Sequence, residues 1–231
     1  MADKKIAKSN RSDIDAFLQN VAQTPLVKTS GVRGRLVFAM DATASREASW
    51  DSACEIQGEM FQQTASLGGL EIQLCFYRGF GEFDASPWYT GSRDLLKHMS
   101  AVYCLGGHTQ IARVIAHTIE ETKRKSVDAL VFVGDCMEEN VDDLCNLGGK
   151  LSLLGVPMFL FHEGNEPTTA MAFRQLAKIT HGAYCPFDAN SAQQLKDLLS
   201  AVAVYAAGGR KALENFNKRK GQVVLQLPHQ R

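Results

Sequence analysis

The chain has 231 residues, 45% of them hydrophobic, with 25 Lys plus Arg balanced by 25 Asp plus Glu. That length and apolar fraction suit one α/β domain with short additions at its ends. A formal charge of zero argues against a dedicated nucleic-acid binder or an anionic-membrane binder, and no apolar run approaches the roughly 20 residues of a membrane span. The start, MADKKIAKSNRSD, lacks the apolar centre of a secretory signal. Cys54, Cys75, Cys104, Cys136, Cys145 and Cys185 are scattered without a C-x-x-C. They read as reduced thiols in or near the core, so the expected compartment is the cytosol.

In chain order, residues 1–11 are charged, and Ser12 opens a capped helix, SDIDAFLQNVAQ, with Ile14, Phe17, Leu18 and Val21 at helical spacing. Pro25 and a polar linker over 28–33 follow. Residues 1–33 are therefore expected to form a helical extension docked on the main domain. The run RLVFAMDATAS comes next. Leu36 to Met40 is apolar without alternation, as in a strand buried on both faces, and it stops at Asp41. Thr43 and Ser45 follow at every second place, before an amphipathic helix over 46–66 that Gly68 and Gly69 terminate. LEIQLCFY at 70–77 is a second strand. Residues 82–89, aromatic and interrupted by Pro87, read as an edge strand or loop.

Residues 93–103 read as a helix, and Gly106-Gly107-His108-Thr109 as a tight glycine turn before a helix over 110–125. ALVFVGD at 129–135 is a buried strand ending on Asp135. A helix over 140–154, a strand over 156–162, a helix over 168–179 and a strand over 183–187 complete the alternation. A long apolar helix over 191–207 is broken at Gly208-Gly209. A basic helical segment over 210–220 then begins the C-terminal tail, 208–231, whose last residues either add to a sheet edge or stay disordered. The alternation predicts a mostly parallel sheet with helices on both faces.

If the sheet changes winding direction between the strands ending at Asp41 and Asp135, these carboxylates lie side by side at its carboxyl edge, where open α/β sheets bind ligands. Thr43, Ser45 and Thr109 add hydroxyls. Two carboxylates and three neutral oxygens around one point suit a hard cation. Taken singly, each is an ordinary turn or cap residue.

Together these residues resemble the von Willebrand factor type A (VWA) domain family. Its metal-ion-dependent adhesion site is D-x-S-x-S, a distant Thr and a distant Asp. Here DATAS has Thr43 in place of the first Ser, which keeps the hydroxyl and adds a methyl; GGHTQI and VFVGD look like the family's second and third motifs. The resemblance covers residues 34–207 and implies a VWA-like α/β fold, a doubly wound, mostly parallel six-stranded sheet with an antiparallel edge strand and helices on both faces. It implies that Asp41, Thr43, Ser45, Thr109 and Asp135 hold Mg²⁺ or Mn²⁺, directly or through water, with one position open to a partner's Asp or Glu. It implies a protein-binding module rather than a catalyst. Intracellular members of the family work inside multiprotein assemblies, including with AAA+ ATPases.

Arg46, His108, Met137 and Glu138 are the expected rim around that position. The competing reading is a metal-dependent phosphoryl-transfer enzyme with Asp41 as nucleophile. It is disfavoured because the haloacid-dehalogenase-like pattern needs a second Asp where Thr43 stands, and no basic residue is an evident phosphate partner. Gly148-Gly149-Lys150 lacks the remainder of a P-loop.

Overall fold

The structure is a computed structural model that describes residues 11–23, 33–187 and 192–226. Among the described residues, six strands form one sheet: β1 (Gly34–Asp41), β2 (Leu70–Arg78), β3 (Glu82–Tyr89), β4 (Ala129–Gly134), β5 (Met158–Glu163) and β6 (Ala183–Phe187). Their spatial order is β3-β2-β1-β4-β5-β6. All neighbours are parallel except β2 and β3. Among the described residues, seven α-helices surround them: α1 (Arg11–Gln23), α2 (Glu47–Thr64), α3 (Ser92–Met99), α4 (Ile111–Arg124), α5 (Val141–Leu153), α6 (Pro167–Ile179) and α7 (Ala192–Gln226).

The unbroken apolar run of β1 has the expected consequence: all eight residues are buried. Successive side chains of a strand point to opposite faces. Leu36, Phe38 and Met40 therefore enter one core with residues of α1, α2, α3 and α7, while Val37 and Ala39 enter the other with residues of α4 and α6. Gly34 is required at the start of β1, because a Cβ there would stand 2.6 Å from the Ala206 carbonyl oxygen of α7.

The edge strand accommodates Pro87 through a register shift between Gln73 and Cys75 of β2. Pro87 has no N–H to offer the ladder, and the Ser86 hydroxyl accepts the Leu74 N–H at 3.0 Å. Helix α3 stops at Met99, before the expected 103, and the chain then runs without regular structure to Gln110.

At the amino end, Phe17 and Val21 of α1 lie in the same core as β5 and α7, with the Phe17 ring 5.3 Å from Phe161 and 6.2 Å from Phe159. The 24–32 segment of the expected extension, including Pro25, lies outside the described residues. The break expected at the glycine pair is a kink at Gly209 (φ 67°, ψ −168°), and α7 continues beyond it to Gln226. Leu213 and Phe216 past the kink are buried in the α1–α7 core, so this stretch is not wholly a solvated tail. Residues 227–231 lie outside the described residues.

The winding reverses between β1 and β4: β2 and β3 continue to one side, β5 and β6 to the other. The carboxyl ends of β1 and β4 are thus adjacent at a topological switch point.

Candidate metal centre

Asp41 is the last residue of β1 and is fully buried. Its Oδ1 accepts the Thr43 N–H at 2.7 Å, the local Asx geometry that turns the chain out of the strand. Its Oδ2 is buried without a hydrogen-bond partner. The Ser45 hydroxyl stands 3.3 Å from the Thr43 hydroxyl and donates to Asp135 Oδ2 at 2.7 Å. Asp41, Thr43, Ser45 and Asp135 are therefore brought together across the β1–β4 boundary. Burial raises the Asp41 pKa above the ordinary carboxyl value; hydrogen bonds from Thr43 pull it down, and the negative charge of Asp135 raises it further.

Thr109 is held by the loop after β4. Its hydroxyl accepts the Glu138 N–H at 3.0 Å, and its own N–H donates to the Glu138 carboxylate at 3.1 Å. Glu139 then accepts the N–H groups of Ile111 at 2.8 Å and Ala112 at 2.7 Å, capping α4 from a neighbouring loop. The adjacent residue Gln110 supplies no side-chain cap. Two consecutive glutamates thus stitch the Thr109 loop to the Asp135 loop. At the sequence level they look like ordinary solvated charge at a helix start; only the approach of the two loops reveals what they bind.

On its other side the Thr109 loop lies on the ends of β1 and β2. Leu105 N donates to Ala42 O at 3.0 Å, and His108 N donates to Gly79 O at 3.2 Å. Gly107 allows this contact, because a Cβ there would stand 1.9 Å from the Gly79 carbonyl oxygen.

Of the expected rim, His108 and Glu138 are exposed and pair at 3.1 Å, and Met137 is half-buried against the core. Arg46 is a correction. It is fully buried, and its guanidinium pairs with Glu163 at the end of β5, which also accepts the Ser49 hydroxyl. The short helical turn Ala44–Arg46 carries Arg46 inward, so it is no rim contact. There its charge lowers the Asp41 pKa.

Two further buried polar side chains lie beside the site. Tyr77 is the register partner of Asp41 on β2, and its buried hydroxyl interacts with the Asp41 carboxylate without a hydrogen bond of ordinary length. Burial, and then the Asp41 charge, push its pKa well above the ordinary phenol value. His162, fully buried on β5, lies between the Tyr184 hydroxyl at 3.0 Å and the Asp135 carbonyl oxygen at 3.2 Å. Cys136, next to Asp135, has its thiol pushed up to about 11 by burial and then by the Asp135 charge. All six cysteines are free.

Among the described residues, no three His, Cys, Asp or Glu side chains converge into a metal-holding group, and no helix is long and apolar enough to cross a membrane. The set at the sheet edge is of a different kind, two carboxylates supplemented by hydroxyls.

No family model and no curated protein sequence matches the chain. Solved structures do. The SpRpn10 VWA domain superposes with a TM-score of 0.59 at 14% identity, covering 73% of this chain and 94% of that one. The ArnB paralog VWA2 from Sulfolobus acidocaldarius gives 0.55 at 14% identity, covering 76% of this chain and 46% of that one. The human COPII-coat protein Sec24c gives 0.55 at 12% identity, covering 78% of this chain and 32% of that one. At such identities the likeness is one of fold, and the fold is that of VWA domains.

Proposed function

We propose that this chain is a divalent-cation-dependent protein-binding module that presents Mg²⁺ or Mn²⁺ to an Asp or Glu of a partner within a cytosolic complex. The observation that carries the reading is that Asp41, Thr43, Ser45 and Asp135 form one linked group at the switch point, in which one buried carboxylate oxygen of Asp41 makes no hydrogen bond of ordinary length. A buried carboxylate with one oxygen left without a hydrogen bond is costly, and a cation compensates it. The donor set fits a hard ion, since every candidate ligand is an oxygen and Mg²⁺ binds oxygen while retaining water. Asp41, Thr43, Ser45 and Asp135 would hold the ion, with Thr109 contributing from the loop that Glu138 fixes. Bound there, the ion supplies a positive centre with an exchangeable position for a carboxylate.

The VWA fold supports a binding role, and an AAA+ ATPase assembly is one setting for it. Nothing about the site favours Asp41 as a phosphoryl nucleophile. Arg46, whose charge acts on Asp41, is fully buried in a pair with Glu163 and is not open to a phosphate.

The test is thermal unfolding with and without millimolar Mg²⁺ or Mn²⁺. Wild type should be stabilised as RT ln(1 + [L]/Kd). Asp41→Ala should fold but not respond, and Thr109→Ala should respond weakly. Equal responses of wild type and Asp41→Ala would sink the reading.

A further inference from the structure

Beside this centre lies a group of apolar side chains that the fold does not bury. Phe80 is 83% exposed, Tyr103 61% and Leu105 41%. Phe80 forms the tip of the β2–β3 hairpin between Gly79 (φ 56°) and Gly81 (φ 111°). The tight turn needs those glycines, but it does not need a phenylalanine; a polar residue would serve without exposing apolar surface.

The three side chains share one rim. The Phe80 ring meets that of His108 edge-on at 5.1 Å. Gly79 N donates to Leu105 O at 3.2 Å. The Arg78 guanidinium lies 3.9 Å over the Tyr103 ring and donates to the Tyr103 carbonyl oxygen at 2.9 Å. The same loop touches Ala42 and ends on Thr109, so the apolar rim and the proposed cation position are continuous. Phe80 stands three residues beyond Tyr77, the register partner of Asp41, a span of at most about 11 Å.

We infer that this rim is the second half of the partner site. It takes a large apolar side chain, aromatic or aliphatic, standing within about three residues of the carboxylate that reaches the cation; that is the reach of an extended segment across the same gap. The occupant is a short acidic-apolar peptide segment of a partner. Three side chains, at roughly 150–250 Å² for an aromatic, fall short of the about 800 Å² per partner that a stable dimer buries, which disfavours a second copy of this chain. The inference rests on the cation reading above and adds a specificity determinant to it.

The test is selection of phage-displayed random dodecapeptides on the purified protein in Mg²⁺, in parallel on wild type, Phe80→Ser, Leu105→Ser and Asp41→Ala. Wild type should enrich peptides with Asp or Glu within three residues of Phe, Trp, Tyr, Leu or Met. On Phe80→Ser the acid should stay enriched while the apolar preference fades. A synthetic wild-type winner should bind Phe80→Ser at least about tenfold more weakly, while the Mg²⁺-induced thermal shift of Phe80→Ser matches wild type. Acid enrichment with no apolar companion would overturn this inference and leave the cation reading standing. Absence of any Mg²⁺-dependent acid enrichment would overturn both. A concentration-dependent dimer in gel filtration that Phe80→Ser abolishes would assign the rim to a second copy and overturn the peptide assignment.

Discussion

At Asp41, a fully buried carboxylate keeps one oxygen without a hydrogen bond while Asp135 adds a second negative charge nearby. An unsatisfied buried polar group costs about 1–3 kcal/mol, and more when it is charged. In the metal-free protein this is destabilising. Asp41→Asn keeps the Oδ1 acceptor for Thr43 and removes the charge. In EDTA at neutral pH the variant should melt higher than wild type, by about 2–4 °C for each kcal/mol recovered in a chain of this size. In Mg²⁺ the order should reverse. A variant that melts below wild type in EDTA would show that the carboxylate is not under strain.

His117 carries the pH argument at the same scale. Its Nε2 lies 3.0 Å from Gln73 Oε1, and burial holds its pKa below 6.5, against an opposing pull from Glu121. The folded pKa lies below that of the unfolded chain, so the unfolded state takes up the proton first. The stability is fully present above pH 6.5 and declines as the pH falls toward the folded value. Melting temperatures from pH 7.5 to 5.5 should fall more for wild type than for His117→Gln. Parallel curves would remove His117 as the group responsible.

At the scale of elements, the site depends on loops that no single helix or strand specifies. Helix α4 starts without a cap of its own, and Glu139 from the β4–α5 loop provides one. A carboxylate at a helix N-terminus satisfies orphan N–H groups and meets the helix dipole; its loss costs about 1 kcal/mol. Glu139→Ala should lower stability by about that amount. It should also weaken the Mg²⁺ response, because the Thr109 loop loses one of its ties to the Asp135 loop. Glu139→Gln, which keeps an acceptor, should fall between. If Glu139→Ala is destabilised but binds Mg²⁺ like wild type, Glu138 alone is enough to place Thr109.

At the scale of the whole molecule, α1 is part of one of the two cores. The Phe17 ring packs on Phe159 and Phe161, and both α1 and α7 close that face of the sheet. Truncating a buried phenylalanine costs about 3–5 kcal/mol. Phe17→Ala should lower the stability of the whole chain by that order in a single cooperative transition. The Mg²⁺ response should remain, since α1 packs on β5 and β6, away from the β1–β4 switch point. An early, separate transition would instead mark α1 as an independently melting extension.

The alternation of buried runs with amphipathic segments was enough to predict the strands and their mostly parallel arrangement, and the resemblance added the antiparallel edge. A run such as Leu36–Met40 has only one way to bury both faces, and parallel strands need helical crossovers. The candidate ligands were also legible, because Asp41, Thr43 and Ser45 stand in one short stretch and Asp135 ends an equally apolar strand. Burial of the other groups was not legible. Arg46 follows Ser45 directly and looks like a surface charge until the turn points it inward at Glu163, a residue 117 positions away. Glu138 and Glu139 look solvated until the loop before α4 arrives beside them. Tyr77 meets Asp41 only through the β1–β2 register. Sequence determines what can be decided by local period and by the chemistry of a single loop. Long-range packing determines the sign and cost of each charge, because these depend on which groups have been taken out of water together.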